Sequence, residues 1–302
     1  MTPTNELFSH LSASAKMAMD LSTEERINKI KQERWIGYTE AKRILDKFED
    51  LLAFPPRHRM PCLLLVGDTN NGKTMIARRF LQLHEPDLNL DGDAIIAPVL
   101  LVQAPPVPDE GRFYDNIFHR LAAPFKVSER VPRKQAQIIK LLSSIQLRVL
   151  IIDEIHDILA GSLRKQQEFL NVIKYLSNEL MISIIGVGTR DALRAIQTDP
   201  QIANRFEPVI LPTWSMNQDF LRLLASFEKV LPLHFASGLP QPELANKLYS
   251  MCEGYIGELS RVLTMAAIEA VVSDEEKITL ALLERLSWVK PSERRRAAER
   301  TF

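Results

Sequence analysis

The sequence predicts an α/β fold, a central parallel five-stranded sheet flanked by helices, with a small C-terminal helical domain. Three observations predict it. Gly67-Asp68-Thr69-Asn70-Asn71-Gly72-Lys73-Thr74 fits G-x-x-x-x-G-K-[ST] and sits between the apolar run Cys62–Val66 and a helix-spaced stretch, Met75–Leu81. A second apolar run, Val149-Leu150-Ile151-Ile152, ends in Asp153-Glu154, with strand and helix patterns alternating between the two motifs. From Trp214 onward strand-like runs disappear and helical patterns take over.

Taken in order, residues 1–34 form a polar, helix-compatible arm. Ser22 followed by Glu25 is a capping signal within it. The arm has few regularly spaced apolar residues, so it is expected either to pack on something else or to stay mobile. Residues 35–213 are the expected α/β domain. It opens with Trp35-Ile36-Gly37-Tyr38, an apolar turn that either grips a base or packs in a core. Thr39 can cap a helix through Phe48 to Leu52, which ends before Pro55-Pro56. Cys62–Val66 reads as a buried parallel strand, residues 94–104 as the second strand with Pro98 near its start, and Glu110–Leu121 as a helix. A basic link, Lys126 to Lys134, leads into a helix through Leu142. The strand ending at Asp153-Glu154 follows, then a helix through Leu176, a fourth strand at 182–188 and a fifth at 208–212. Residues 214–289 form the helical domain, with helices at 216–231, 241–252, 257–272 and 279–288. Residues 290–302 form a tail with five basic and two acidic residues, expected to fray as a solvated helix end.

The strand–loop–helix unit has a physical use. Unpaired N–H groups at a helix N-terminus, helped by the helix dipole, attract phosphate oxygens. Gly67 and Gly72 permit backbone angles and approach that a Cβ would block. The stretch from Gly67 through Asp68, Thr69, Asn70, Asn71 and Gly72 to Lys73, Thr74 and Met75 is therefore the candidate nucleotide cradle. In it Lys73 bridges the β- and γ-phosphates and Thr74 holds Mg²⁺. Asp153 is the second Mg²⁺ residue, direct or through water, and Glu154 is the residue that orients and polarises the attacking water. Thr189, at the end of the fourth strand, faces the ligand crevice of an open α/β sheet and could sense the γ-phosphate; capping the helix that starts at Asp191 is the other use for it. His156 beside Asp157 reads as a packing or surface residue.

Bulk properties narrow the partners. Lys+Arg and Asp+Glu are both 38, so net charge does not announce a nucleic-acid partner, and any such contact needs a local basic patch or aligned subunits. Two cysteines, Cys62 and Cys252, give no disulfide framework or zinc cluster. No apolar run reaches membrane-spanning length and the N-terminus lacks a signal-peptide layout. A soluble cytoplasmic protein is expected.

Together these motifs resemble the AAA+ ATPases, and within them the transposition ATPases of the TniB, TnsC and Mu B family, most closely TniB. The resemblance rests on Trp35-Ile36-Gly37-Tyr38, the phosphate loop, Ile151-Ile152-Asp153-Glu154-Ile155-His156, Gly186-Val187-Gly188-Thr189, Asn204-Arg205-Phe206 and Gly257-Glu258-Leu259-Ser260-Arg261, and covers about residues 30–290. It implies that Trp35 and Ile36 lie where many such ATPases hold adenine. It implies that Arg205 is an arginine finger acting on a neighbour's γ-phosphate and Arg261 a second sensor. It also implies helical, ATP-dependent oligomers on double-stranded DNA that choose a target and engage a DDE transposase of TniA type, with a TniQ-like target selector as a further partner. The DNA contacts would come from loops that here offer Arg112, Arg130, Arg133 and Lys134, with Lys126 close by; a solvated helix face is the other reading of the Arg133–Lys134 pair.

Two other functions fit the same motifs. A replication initiator or helicase loader of this fold would usually append a helix-turn-helix after the lid, and residues 279–302 are too short for one. A non-hydrolysing nucleotide switch that binds only proteins would need neither Glu154 nor Arg205.

Overall fold

Apolar runs of five or six residues, with no polar residue in alternation, become strands covered on both faces. β1 (Cys62–Gly67) and β4 (Ser183–Gly188) are buried at every residue, and β3 (Val149–Asp153) is buried up to Asp153. The computed structural model describes residues 8–92 and 94–299. With β2 (Val99–Gln103) and β5 (Phe206–Leu211) these strands form a parallel sheet in the order β2-β3-β4-β1-β5. β5 is an edge strand with Glu207, Pro208 and Ile210 exposed, and an edge is where Pro208 is tolerated.

The second strand is shorter than residues 94–104. Its extended pairing begins at Val99; Ile96 instead makes a single antiparallel bridge to Asp87. Pro98 has no N–H to give the ladder, and its carbonyl accepts from both Arg148 N and Val149 N at 2.9 Å.

The order of strands places the site. β3, β4 and β1 are neighbours, so the chain segments leaving their C-terminal ends emerge side by side, within about 10 Å at the usual interstrand spacing. The helix Lys73–Leu83 after β1 is locked by Phe80, fully buried edge-on against Phe48 of the helix Thr39–Ala53 at 5.3 Å between ring centres.

Two compact units divide the chain. One is Glu40–Pro212; the other joins the described residues up to Thr39 with those from Thr213 on. In the second unit the helices Gln218–Val230, Pro242–Cys252, Ile256–Val272 and Leu280–Arg285 share one core, and Ile30 and Ile36 are buried in it. The helix Thr23–Lys31 carries the full reciprocal capping box of Ser22 and Glu25. Its Arg26, nearly buried, is ion-paired with Glu276, which also lies 2.8 Å from His234 Nδ1. Residues 1–7 of the arm and 300–302 of the tail lie outside the described residues.

The described part of the tail does not fray. The helix Pro291–Glu299 is held at its start: Ser292 N donates to Glu253 Oε2 at 3.0 Å and Lys290 Nζ to Ser250 Oγ at 2.9 Å, and Arg294 pairs with Glu258.

Arg26→Ala is expected to destabilise the helical unit by about 3 kcal/mol, because it leaves the Glu276 carboxylate buried without its main counter-charge. His234 N still donates to that carboxylate at 3.2 Å, which keeps the cost at the low end. Trp35, Trp214 and Trp288 all belong to this unit, so tryptophan fluorescence during urea denaturation reads it directly; an unchanged midpoint would contradict the expectation.

Candidate functional site

The cradle begins where β1 ends. Gly67 presses its backbone on the end of β5: a Cβ there would meet the Leu211 carbonyl at 2.9 Å. Asn71 is 1% exposed and its Nδ2 donates to the carbonyls of Leu211 and Pro212 at 3.1 and 2.8 Å. The loop is thus stitched to the next strand before it turns. Gly72 makes that turn at φ 88°, a left-handed conformation that favours glycine, and the helix starts at Lys73.

Lys73 folds back over the loop and its Nζ donates to the Asp68 carbonyl at 2.8 Å. Burial pushes its pKa down, opposed by the negative charges of Glu154, Asp153 and Asp68. Thr74 Oγ1 donates to Asp153 Oδ2 at 2.8 Å, joining the motif after β1 to the motif ending β3. The other carboxylate oxygen of Asp153 accepts from Glu154 N at 2.9 Å.

Glu154 is bent out of the strand with φ 54° and ψ 36°. A non-glycine residue held there carries strain of about 1–3 kcal/mol, which tends to gather at functional positions. Its carboxylate is 41% exposed and faces His156, whose Nδ1 is 3.3 Å from Glu154 Oε2.

These residues line one cleft of about 520 Å³. Thr69, Asn70, Gly72, Lys73, Thr74 and Met75 form one wall; Gln103, Glu154, His156, Asp157 and Thr189 form the other. Three polar atoms in its lining are buried without a hydrogen-bond partner: Asn71 Oδ1, His156 Nδ1 and Thr189 Oγ1. The Thr189 hydroxyl does not cap the helix that follows it. The helix Asp191–Gln197 starts at Arg190 with no side-chain cap, and Ala192 N takes the Thr189 carbonyl instead, at 2.9 Å.

Arg205, in the same unit, lies away from this cleft. Arg205 precedes β5, and its carbonyl accepts from Cys62 N at 3.1 Å, at the start of β1. That is the opposite end of the sheet from Gly67, which pairs with Leu211 at the far end of β5. Arg205 Nη1 donates to Asn178 Oδ1 at 2.8 Å. Arg190, by contrast, reaches its own phosphate loop: Nε is 3.0 Å from Asp68 Oδ1. Trp35, Ile36 and Arg261 lie in the other unit. Ile36 is a core residue there, and the Arg261 guanidinium lies 5.7 Å from the Trp288 ring centre, with Arg294 5.3 Å from the same ring.

Among the proposed DNA contacts, Arg112, Arg130 and Arg133 are exposed and stand near the N-termini of two packed helices, Glu110–Arg120 and Val131–Ser144. Lys134 does not belong with them. It is 4% exposed, and its Nζ donates to Asp115 Oδ1 at 2.6 Å and to the Val127 carbonyl at 2.9 Å. It is an internal strut, and the spacing that suggests a basic helix face hides that its side chain turns inward.

The Asn71 clamp, the Arg190–Asp68 pair and Gln103 are not among the residues the sequence motifs mark, and His156 reads there as a packing or surface residue. Gln103 had a signal: it ends β2 in register with Asp153, by the same strand-end logic that found Thr189. The Asn71 partners are some 140 residues away in sequence, and no local pattern points to them.

A family model for the bacterial TniB protein matches residues 26–216, more than half of the chain. The chain belongs to the TniB family. No curated protein matches it. Among solved structures it is similar to the ORC2 protein of Aeropyrum pernix in ADPNP–ADP complexes, with a TM-score of 0.60 at 16% identity, covering 85% of this chain and 70% of that one. It is similar to the ORC1 protein of Aeropyrum pernix in complex with DNA, with a TM-score of 0.58 at 16% identity over 90% and 69%. It is also similar to Cdc6p from Pyrobaculum aerophilum, with a TM-score of 0.58 at 15% identity over 83% and 68%. This TniB-family chain therefore has the AAA+ nucleotide-binding fold and is an ATPase of that class. Among the described residues no helix is long and apolar enough to cross a membrane.

Proposed function

We propose that this chain is an ATP-dependent regulator of DNA transposition, in the cytoplasm, that assembles on double-stranded target DNA, selects the site and engages a DDE transposase of TniA type, with a TniQ-like selector as a further partner. The observation that carries the assembly step is the split of the site. The cradle and Glu154 are at one end of the sheet, and Arg205 is at the other. The six residues of β5 span about 20 Å at about 3.3 Å each, beyond an arginine's reach. In this reading Arg205 serves a site on a neighbouring copy, and hydrolysis depends on assembly.

The residues fit nucleotide and Mg²⁺. The cradle has a buried lysine and a left-handed glycine, with the unpartnered Thr189 hydroxyl in the lining of the same cleft, and Thr74 and Asp153 are the protein oxygens that would hold Mg²⁺, which commonly takes one or two. Bound there, Mg²⁺ would supply positive charge to the β- and γ-phosphate oxygens. Lys73 holds the phosphates, Thr189 donates to the γ-phosphate, and Glu154 orients the attacking water and draws its proton. Trp35 contacts adenine, with Ile36 supporting it from the helical core, and Arg261 is the second sensor.

For DNA, a neutral protomer gains affinity when nucleotide aligns many copies, since phosphate contacts add along the lattice. Arg112, Arg130 and Arg133 supply them. Arg130→Ala with Arg133→Ala is expected to abolish ATP-dependent DNA retention, lowering the salt slope by roughly one unit per lost contact in each subunit of the cooperative stretch, with nucleotide binding unchanged. Negative-stain imaging with DNA and a non-hydrolysable ATP analogue, together with salt titrations, tests this. Wild-type protein that neither coats DNA nor assembles would defeat the proposed function. A replication-initiator role, the next reading, predicts preference for a particular origin sequence over random DNA.

A further inference from the structure

We propose that His156 is a positioning residue for hydrolysis, holding the Glu154 carboxylate in its working orientation through Nδ1. This rests on the reading of Glu154 as the residue that activates water.

The geometry is built by the chain reversal at the end of β3. Glu154 turns with φ 54° into the short 3₁₀ segment Ile155–Ala160. The bend brings the side chain two residues later back beside Glu154, with Nδ1 at 3.3 Å from Oε2. On a straight strand the same two side chains would share a face about 7 Å apart. Glu154's left-handed backbone is thus what makes the pair possible.

The imidazole is wedged rather than free. Gly188, the last residue of β4, makes room for it: a Cβ there would lie 3.2 Å from His156 Nδ1, 3.0 Å from the Ala192 Cβ and 3.4 Å from Ile155 Cγ2. Nδ1 is shut off from water and has no aligned hydrogen bond. A sequestered ring nitrogen close to one carboxylate oxygen has little else to donate to. A small rotation of the half-exposed Glu154 side chain completes the bond, with the Nδ1 proton donated to Oε2 and the other oxygen left for water. Thr189 Oγ1, also buried and unpartnered, lines the same cleft. His156 thus packs against the end of β4, immediately before Thr189, so a shift at that strand end can be felt by the carboxylate.

The chemistry requires an N–H at the Nδ1 position. Asparagine can present its amide nitrogen there, whereas glutamine presents its amide near Nε2. The test compares His156→Ala, His156→Asn and His156→Gln in steady-state ATPase assays with DNA, with fluorescent-nucleotide binding and thermal unfolding measured alongside. A carboxylate misplaced by about 1 Å costs on the order of a hundredfold. The expected result is a loss of kcat of about ten- to a hundredfold in the Ala and Gln variants, recovery in the Asn variant, nucleotide affinity unchanged in all three, and an order of kcat that does not follow the melting temperatures. Adding His156→Ala to Glu154→Gln should then cost nothing further. Equal kcat in all variants, equal loss in Asn and Gln, or a loss that tracks melting temperature would each overturn the proposal and leave His156 a packing residue. If Glu154→Gln itself keeps full turnover, it is the underlying assignment of Glu154 that fails.

Discussion

Arg205→Ala is expected to lower assembly-dependent ATP turnover by about 10³–10⁵-fold, the effect of removing an arginine finger in related NTPases, while the isolated protomer still binds nucleotide. The cause is electrostatic: a fixed guanidinium offsets charge that grows on the γ-phosphoryl oxygens in the transition state. The protomer's own cleft keeps Lys73, Thr74 and Asp153, so ground-state binding has no reason to change. The trans geometry adds a sharper test. A Lys73→Ala protomer loses its own site but still carries Arg205, so mixing it with Arg205→Ala protein restores composite junctions. At equal mixing in a head-to-tail assembly, roughly a quarter of junctions regain both parts. Full turnover by Arg205→Ala alone, or no recovery on mixing, would remove Arg205 from this role. Arg190 is a poor replacement, since it already salt-bridges Asp68 in its own loop.

Glu154→Gln is expected to retain ATP binding, slow hydrolysis by about 10²–10⁴-fold, and trap the assembly on DNA. The amide keeps the size of the carboxylate and can still touch water, but it cannot draw a proton. Binding survives because Lys73, the main cation of the cradle, loses only one of three nearby negative charges. Single-turnover ATPase rates and DNA dissociation rates measured together check both halves. Equal rates for the variant and the wild type would take Glu154 out of the chemistry.

Much of the candidate site is legible in the sequence. A phosphate loop is local: glycines, a lysine and a hydroxyl at fixed spacing, read against a flanking buried strand and a helix. The strands of a parallel sheet are legible for a related reason. Both of their faces are covered, so they are written as unbroken apolar runs, as in Leu63-Leu64-Leu65-Val66 and Val149–Ile152. Where the run is impure the pattern overshoots: it extends the second strand over residues 94–98, whereas the ladder begins at Val99.

What folding decided are facts that join distant residues. Lys134 belongs to a basic segment in the sequence, yet its charge is spent on Asp115 in a helix 19 residues away. Asn71 is one of four interchangeable positions in the loop motif, yet it is the clamp to β5. Nothing local to the arm residue Arg26 points to a partner, yet it pairs with Glu276 across 250 residues. His156 is an ordinary polar residue until the left-handed turn at Glu154 returns it to that carboxylate. By itself the sequence determined the sheet, the cradle and the order of the motifs, because backbone periodicity and loop chemistry act over a few residues. The tertiary structure alone decided which charges are buried, which polar atoms are left without partners, and which end of the sheet each arginine occupies, because those follow from strand order and packing between segments far apart in the chain.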